Sequence, residues 1–227
     1  MSTQINKNPA IIMPSLLSAP FARLGDSLNE LERAGVSLFH YDVMDGHFVP
    51  NLAGSPGIIK KIQPHIQAQL DVHLMVDDPP RVIPWFDLDS VRSISIQVEA
   101  SQDLERDLCT IRSLNKKAGV VINPLTCLES LEPFFEQVDY ILVMTVHPGE
   151  GGQKLIKKAL YGIKYCAKRR DELGCNFLIQ VDGGVNQDTI CSVHDAGADE
   201  IVAGSAIFDN DNPAEAFNNL NHLIGNQ

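Results

Sequence analysis

Residues 38–51 of this 227-residue chain read LFHYDVMDGHFVPN, and this stretch decides how the rest of the sequence is interpreted. Phe39–Val43 is rich in aromatic and β-branched residues, which is typical of a β-strand, and Gly46 ends that strand. Side chains two residues apart on a strand point to the same face, so His40 and Asp42 are expected to lie together. They form either half of a metal site or a His–Asp hydrogen bond that orders the turn.

Short apolar runs of the same kind recur along the chain, and most of them precede an amphipathic segment. They predict eight strands, at Ile11–Ser15, Ser37–Val43, Gln69–Met75, Val91–Val98, Gly119–Ile122, Tyr140–Thr145, Asn176–Val181 and Glu200–Ala203. Helices are predicted to begin near Phe21, Pro56, Pro79, Asp103, Leu125, Gln153, Gln187 and Pro213, with Asn186 and Asn212 as start signals for the last two.

Eight strand–helix units without a linker or a low-complexity tract predict a single α/β domain over residues 1–227. Eight is the number of units that closes a (β/α)8 TIM barrel. An open, doubly wound parallel sheet is the alternative, although the first strand lacks the glycine-rich loop of a dinucleotide-binding protein.

Composition limits the partners and the location of the protein. A formal net charge of −11 argues against nucleic acid or an anionic membrane as the main partner, and an anionic substrate would need local attraction. Five cysteines without a C-x-x-C pair indicate reduced thiols. The N-terminus has no secretory signal pattern, and no apolar run approaches the roughly 20 residues of a membrane span. We therefore expect a soluble, cytoplasmic protein that binds a small molecule and forms a homo-oligomer.

In a barrel, the chemistry belongs at the C-terminal ends of the strands. The polar residues predicted there are Ser15, His40, Asp42, His73, Thr145, His147 and Asp182. Two imidazoles and two carboxylates (His40, Asp42, His73 and Asp182) would suit one divalent ion: Zn²⁺, Fe²⁺, Mn²⁺ or Co²⁺. Taken singly, His73 is more typical of a hydrogen-bonded core residue than of a ligand, and Asp182 is an ordinary turn residue.

Glycine-bearing loops follow the last three predicted strands, and together they favour a phosphate site over simple tight turns. Their candidate residues are Gly149, Gly151, Gly152, Gly183, Gly184, Gly204 and Ser205. No lysine or arginine is evident nearby, because the basic run from Lys154 to Arg170 has the spacing of a solvated helix face. Met44, Met75 and Met144 lie near strand ends as core filler or as an apolar wall of the site.

The chain resembles the ribulose-phosphate 3-epimerases. The resemblance is carried, in order, by PSLLSAPFARLG (14–25), HYDVMDGHFVPN (40–51), LDVHLMV (70–76), MTVHPGEGGQK (144–154), VDGGVNQDT (181–189) and VAGSAIF (202–208). It implies a phosphate-binding (β/α)8 barrel that interconverts D-ribulose 5-phosphate and D-xylulose 5-phosphate in the pentose phosphate pathway.

The resemblance also implies roles for individual residues. His40, Asp42, His73 and Asp182 match the ligands of a catalytic divalent metal, and Asp42 and Asp182 match the paired acid and base that act at C3 through a metal-stabilised enediolate. Ser15 and His73 match substrate-contacting residues. Met44, Met75 and Met144 match methionines around the enediolate, and the loop glycines with Ser205 match the phosphate site.

Four departures from the family pattern leave the sugar phosphate open. Glu150 replaces a Phe in the glycine-rich loop, Gln97 replaces a His, Pro20 replaces an Asp, and LAGSPG (52–57) lacks an aromatic residue. The alternatives are therefore a 3-epimerase of another ketose phosphate, such as D-allulose 6-phosphate, a metal-dependent aldolase or decarboxylase on a related barrel, and a non-catalytic sugar-phosphate binding protein.

Overall fold

The computed structural model describes residues 9–226, so the prediction about an N-terminal signal and the outer ends of the predicted 1–227 domain fall outside the described residues. All eight predicted strands are present, and a ninth short strand was not predicted. The strands are β1 (Ile11–Pro14), β2 (Leu38–Asp45), β3 (Leu52–Ala53), β4 (Gln69–Met75), β5 (Val91–Gln97), β6 (Lys117–Ile122), β7 (Tyr140–Met144), β8 (Leu178–Asp182) and β9 (Glu200–Ala203).

The sheet curls into a closed barrel. Its order is β1-β9-β8-β7-β6-β5-β4-β2-β3, and every pairing is parallel except that of β3, which runs antiparallel to the end of β2. A parallel bridge between Ser15 and His40 joins the first two strands and closes the ring. The predicted (β/α)8 barrel is therefore confirmed, and the open-sheet alternative is wrong.

Helices surround the barrel. The α-helices are α1 (Leu24–Arg33), α2 (Pro56–Ile62), α3 (Pro79–Val82), α4 (Leu104–Ser113), α5 (Leu160–Leu173), α6 (Ile190–Ala196), α7 (Ser205–Phe208) and α8 (Pro213–Leu223). Short 3-10 helices cover Leu16–Ser18, Phe21–Arg23, Gln63–His65, Ile83–Phe86, Leu128–Phe134 and Lys157–Ala159. In the part of the chain that the structure describes, no helix combines the length and the apolar character needed to cross a bilayer.

Three predicted helix starts were wrong. Leu125 lies in a turn, and only a 3-10 helix follows it, from Leu128. Asn186 does not cap a helix at Gln187; its side chain accepts a hydrogen bond from the Asp188 backbone in a turn, and α6 begins at Ile190. The segment after Gln153 stays irregular until Lys157, so Lys154 lies in a loop and not on the helix face to which it was assigned. All three segments are βα loops of the barrel's C-terminal face.

The residues packed between the strands and the helices differ in polarity from those inside the barrel. Outside the wall, aliphatic and aromatic side chains of the strands pack against the helices in one large cluster. The interior also contains buried polar groups, because alternate residues of β4 and β5 are Asp71, His73, Ser93, Ser95 and Gln97. Every one of these five has 0% exposure. Because a buried polar group is costly unless it is partnered, these interior residues call for a structural or chemical role.

Candidate active site

Four side chains converge at the C-terminal end of the barrel. His40 and Asp42 come from β2, His73 from β4 and Asp182 from the last position of β8. Each offers one ligand-type atom, and the four atoms all lie within 4.8 Å of one another. The set predicted from the sequence is therefore brought together by the fold.

Asp42 lies at the centre of this cluster, and its two oxygens face different partners. Oδ1 is 3.3 Å from His40 Nε2 and 3.2 Å from His73 Nδ1, whereas Oδ2 accepts a 2.9 Å hydrogen bond from the Ser15 hydroxyl. Oδ2 of Asp182 lies 3.9 Å from each of the same two ring nitrogens. Two carboxylates thus approach two imidazoles from separate strands.

The donor set fits a divalent cation. His40 Nδ1 lies 2.9 Å from Asp71 Oδ2, so the carboxylate accepts the ring proton there, and in the neutral ring Nε2 has the lone pair that a metal ion would use. Nε2 is buried, and within residues 9–226 it has no hydrogen-bond partner. A buried nitrogen lone pair aimed at two carboxylates is what one divalent ion with mixed nitrogen and oxygen ligands requires.

The pKa values of the cluster residues also indicate a site that favours positive charge. Burial and the neighbouring Asp42 carboxylate raise the pKa of Asp182 to about 6. For Asp42, burial acts in the opposite direction but is outweighed, and the His40 and His73 rings hold its pKa well below the usual value. Burial likewise opposes protonation of His40, yet Asp42, Asp71 and Asp182 together raise its pKa well above normal. The carboxylates therefore attract positive charge into the cluster.

A cavity of about 290 Å³ opens above the cluster. Its lining includes Asp42 and Asp182, whereas His40 and His73 lie beneath it with 0% exposure. It is also lined by the other residues predicted for substrate, phosphate and enediolate contacts: Ser15, Met44, Met75, Met144, Gly149, Gly151, Gly152, Gly183, Gly184, Gly204 and Ser205. The three glycine-bearing loops therefore meet at one cavity.

Local sequence explains how the loops reach this position. The Asp45 carboxylate accepts hydrogen bonds from the backbone N–H groups of His47 (2.8 Å), Phe48 (3.0 Å) and Asp77 (2.8 Å), which ties the loops after β2 and β4 together. The Asn51 side chain donates to the Gly149 carbonyl at 2.8 Å and links the β2 loop to the glycine-rich loop. The VMDGHFVPN stretch thus organises three neighbouring loops.

The loop after β8 depends on its glycines. Gly183 and Gly184 adopt φ values of +116° and +66°, in the region that favours glycine. Thr145 directly follows β7, and its single hydroxyl proton lies between two acceptors, the carbonyls of Asp182 (3.0 Å) and Gly183 (2.5 Å). These contacts hold Asp182 at the cavity floor, next to backbone that can approach a ligand closely.

Several residues near the site were not recognised from the sequence, and three of them bear on its chemistry. Asp71 and Gln97 contact His40 and His73 from inside the barrel, and Lys154 lines the cavity. The signal for the first two was available: Asp71 precedes His73 by two residues, and Gln97 continues the alternation of Ser93 and Ser95. Lys154 was missed because it was assigned to a helix.

Taken together, the closed barrel, the candidate metal centre and the glycine-lined cavity define a (β/α)8-barrel enzyme with its site at the strand C-termini. The model of the Ribulose-phosphate 3 epimerase family matches residues 11–208, and the chain belongs to this family. The predicted family and its class, the epimerases among the isomerases, are confirmed.

Individual relatives agree with this assignment. The ribulose-phosphate 3-epimerase of Bacillus subtilis (strain 168) is 42% identical over 92% of this chain and 97% of its own length. The ribulose-phosphate 3-epimerase of Escherichia coli (strain K12) is 43% identical over 88% of this chain and 89% of its own. Both cover nearly the whole chain, so the similarity is not confined to single motifs.

More distant solved structures share the fold alone. KGPDC from Streptococcus mutans superposes with a TM-score of 0.71 at 13% identity, covering 96% of this chain and 98% of that one. A 3-hexulose-6-phosphate synthase gives a TM-score of 0.63 at 16% identity, covering 95% and 98%.

Proposed function

We propose that this chain is a metal-dependent ribulose-phosphate 3-epimerase that interconverts D-ribulose 5-phosphate and D-xylulose 5-phosphate, a reaction of the pentose phosphate pathway. One observation carries the proposal: Asp42 and Asp182 converge on two imidazoles at the floor of a cavity lined by glycine-bearing loops. The substrate is taken from the names of the relatives that match along nearly the whole chain.

His40, Asp42, His73 and Asp182 would hold the divalent ion, and their nitrogen and oxygen ligands leave Zn²⁺, Fe²⁺, Mn²⁺ and Co²⁺ as candidates. When bound, the ion would stabilise the negative charge that develops on the C2 and C3 oxygens of the substrate.

The two carboxyl groups are proposed to move the proton at C3. Inverting this carbon requires that a proton leave one face and that another arrive on the opposite face. Asp42 and Asp182, on β2 and β8, can act as general base and general acid, and they exchange roles in the reverse direction. Because Asp42 turns Oδ1 to the imidazoles and Oδ2 to Ser15, its second oxygen remains available for the proton.

The remaining lining residues are proposed to position the substrate. Backbone N–H groups of the loops around Gly151, Gly183 and Gly204 would bind the phosphate, with Ser205. Met44 and Met75 form one buried apolar cluster with Val49, and Met144 belongs to another with Val121, Leu142 and Val146. These side chains supply an apolar wall that keeps water from the reacting carbon.

Parallel assays with five- and six-carbon ketose phosphates test the proposal against its closest alternative. We expect D-ribulose 5-phosphate to be epimerised with the higher kcat/KM. Preference for D-allulose 6-phosphate would contradict the proposed substrate while leaving the proposed chemistry intact. Cleavage of the carbon chain or release of carbon dioxide would contradict the chemistry as well.

Glu150 is expected to weaken phosphate binding. Within residues 9–226 the charged side chains that line the cavity outside the His–Asp cluster are Glu150, Asp209 and Lys154, so this part of the lining has a net negative charge. Glu150→Gln should lower the KM for D-ribulose 5-phosphate by about two- to tenfold at low salt, and less at high salt because exposed charges are screened. Lys154→Met is the matched control and should raise KM. An unchanged KM in both variants would show that neither charge acts on the substrate.

A further inference from the structure

The two imidazoles of the cluster are supported by different chemical groups. His40 Nδ1 is 2.9 Å from a carboxylate oxygen of Asp71, and His73 Nε2 is 2.9 Å from the amide nitrogen of Gln97. A carboxylate only accepts hydrogen bonds, so Asp71 fixes the His40 proton on Nδ1. A primary amide both donates and accepts, so Gln97 can serve His73 with either of its ring nitrogens protonated.

The contacts of Gln97 specify one of these two arrangements. Its Nε2 donates to an unprotonated His73 Nε2, which leaves the ring proton on Nδ1, 3.2 Å from Asp42 Oδ1. Gln97 has 0% exposure, and its Oε1 has no hydrogen-bond partner in the described part of the chain. This arrangement therefore leaves one buried acceptor without a hydrogen bond, which costs free energy.

A bound metal ion requires the other arrangement. The ring nitrogen of His73 that faces Asp42 and Asp182 is Nδ1, and a ligating nitrogen must be unprotonated. The ring proton then belongs on Nε2, where it would point at the Gln97 N–H group. A half-turn about the last side-chain torsion of Gln97, which is a soft torsion, exchanges Nε2 for the unused Oε1 and restores a hydrogen bond.

We propose that Gln97 is a positioning residue for His73, and that its amide reverses orientation when the metal cluster is filled. The inference rests on the metal site proposed above. In the metal-bound protein, the Oε1 atom that lacks a partner among the described residues would accept a hydrogen bond from the protonated Nε2 of His73. This hydrogen bond would orient Nδ1 towards the ion.

Two substitutions separate this role from simple packing. Gln97→Met keeps the approximate length of the side chain but offers only the weak acceptor of a thioether sulfur. In Gln97→Glu, a carboxyl oxygen accepts a hydrogen bond whether or not the group is protonated. Zn²⁺ affinity, measured by competition with a chromophoric chelator, should fall about 10- to 100-fold in Gln97→Met and stay near the wild-type value in Gln97→Glu. A packing role predicts the reverse, because methionine suits a buried site and a carboxylate does not.

Nitrogen NMR of the ¹⁵N-histidine-labelled wild-type protein gives a readout that needs no variant to fold. In the metal-free protein the His73 ring proton should be on Nδ1, and after Zn²⁺ is added it should be on Nε2. A proton on Nε2 in both states, or equal Zn²⁺ affinity of wild type and Gln97→Met, would overturn the role of Gln97. Failure of the wild type to bind Zn²⁺ would instead overturn the metal site itself.

Discussion

Replacing Asp182 by asparagine is expected to slow epimerisation by about 10²- to 10⁴-fold, the usual contribution of a general acid–base group. Asparagine keeps the shape of the side chain at the end of β8, but it can neither take up the C3 proton nor return one. The Asp182 side chain keeps 17% of its surface exposed at the cavity floor, so the group can reach a substrate. Initial rates with D-ribulose 5-phosphate, at equal metal content, measure the loss.

Asp209→Asn is the matched control for this variant. Asp209 lines the same cavity but is exposed, follows α7 and lies outside the His–Asp cluster. We expect its removal to lower the KM modestly, as for Glu150→Gln, and to leave kcat close to the wild-type value. Near-normal activity of Asp182→Asn, or an equal loss in both variants, would refute the assignment of Asp182 as an acid–base group.

Removal of the metal is expected to slow epimerisation about as much as Asp182→Asn does. One divalent ion per chain should restore the rate. The cluster draws two carboxylates and two imidazoles within 4.8 Å, so the protein without metal should also have a lower melting temperature than the reconstituted protein. Activity and melting temperature are followed during titration of the chelated protein with Zn²⁺, Mn²⁺, Fe²⁺ and Co²⁺ in turn. Full activity of a protein that contains no detectable metal would contradict the metal site.

The barrel was predictable because its strands are buried on both faces and read as short apolar runs. Boundaries were less predictable where the chain enters or leaves the C-terminal face. Residues 154–156 have side chains that suit a helix, and Asn186 is a residue that often caps one, yet both stretches form loops. Ile156, for example, donates its N–H to the Thr145 carbonyl. Local propensity does not contain that information.

The residues of the site that face the cavity or the candidate metal centre could be predicted from the sequence, but their hydrogen-bond partners inside the barrel could not. His40, Asp42, His73 and Asp182 all stand where polar residues interrupt apolar strands, and barrel geometry brings such positions together. The partners beneath them were not predicted, because the pairing of Asp71 with His40 and of Gln97 with His73 depends on the register of adjacent strands. A sequence gives the alternation along each strand but not the offset between two strands.

Proton NMR in deuterated water tests most directly whether two carboxylates share the transfer of the C3 proton. The metal-reconstituted protein is given D-ribulose 5-phosphate, and both sugars are examined before equilibrium is reached. With Asp42 and Asp182 on opposite faces, the first D-xylulose 5-phosphate formed should carry deuterium at C3 on an intact carbon chain, while the remaining substrate still carries hydrogen. Product that retains the original hydrogen at C3 would contradict the two-carboxylate mechanism.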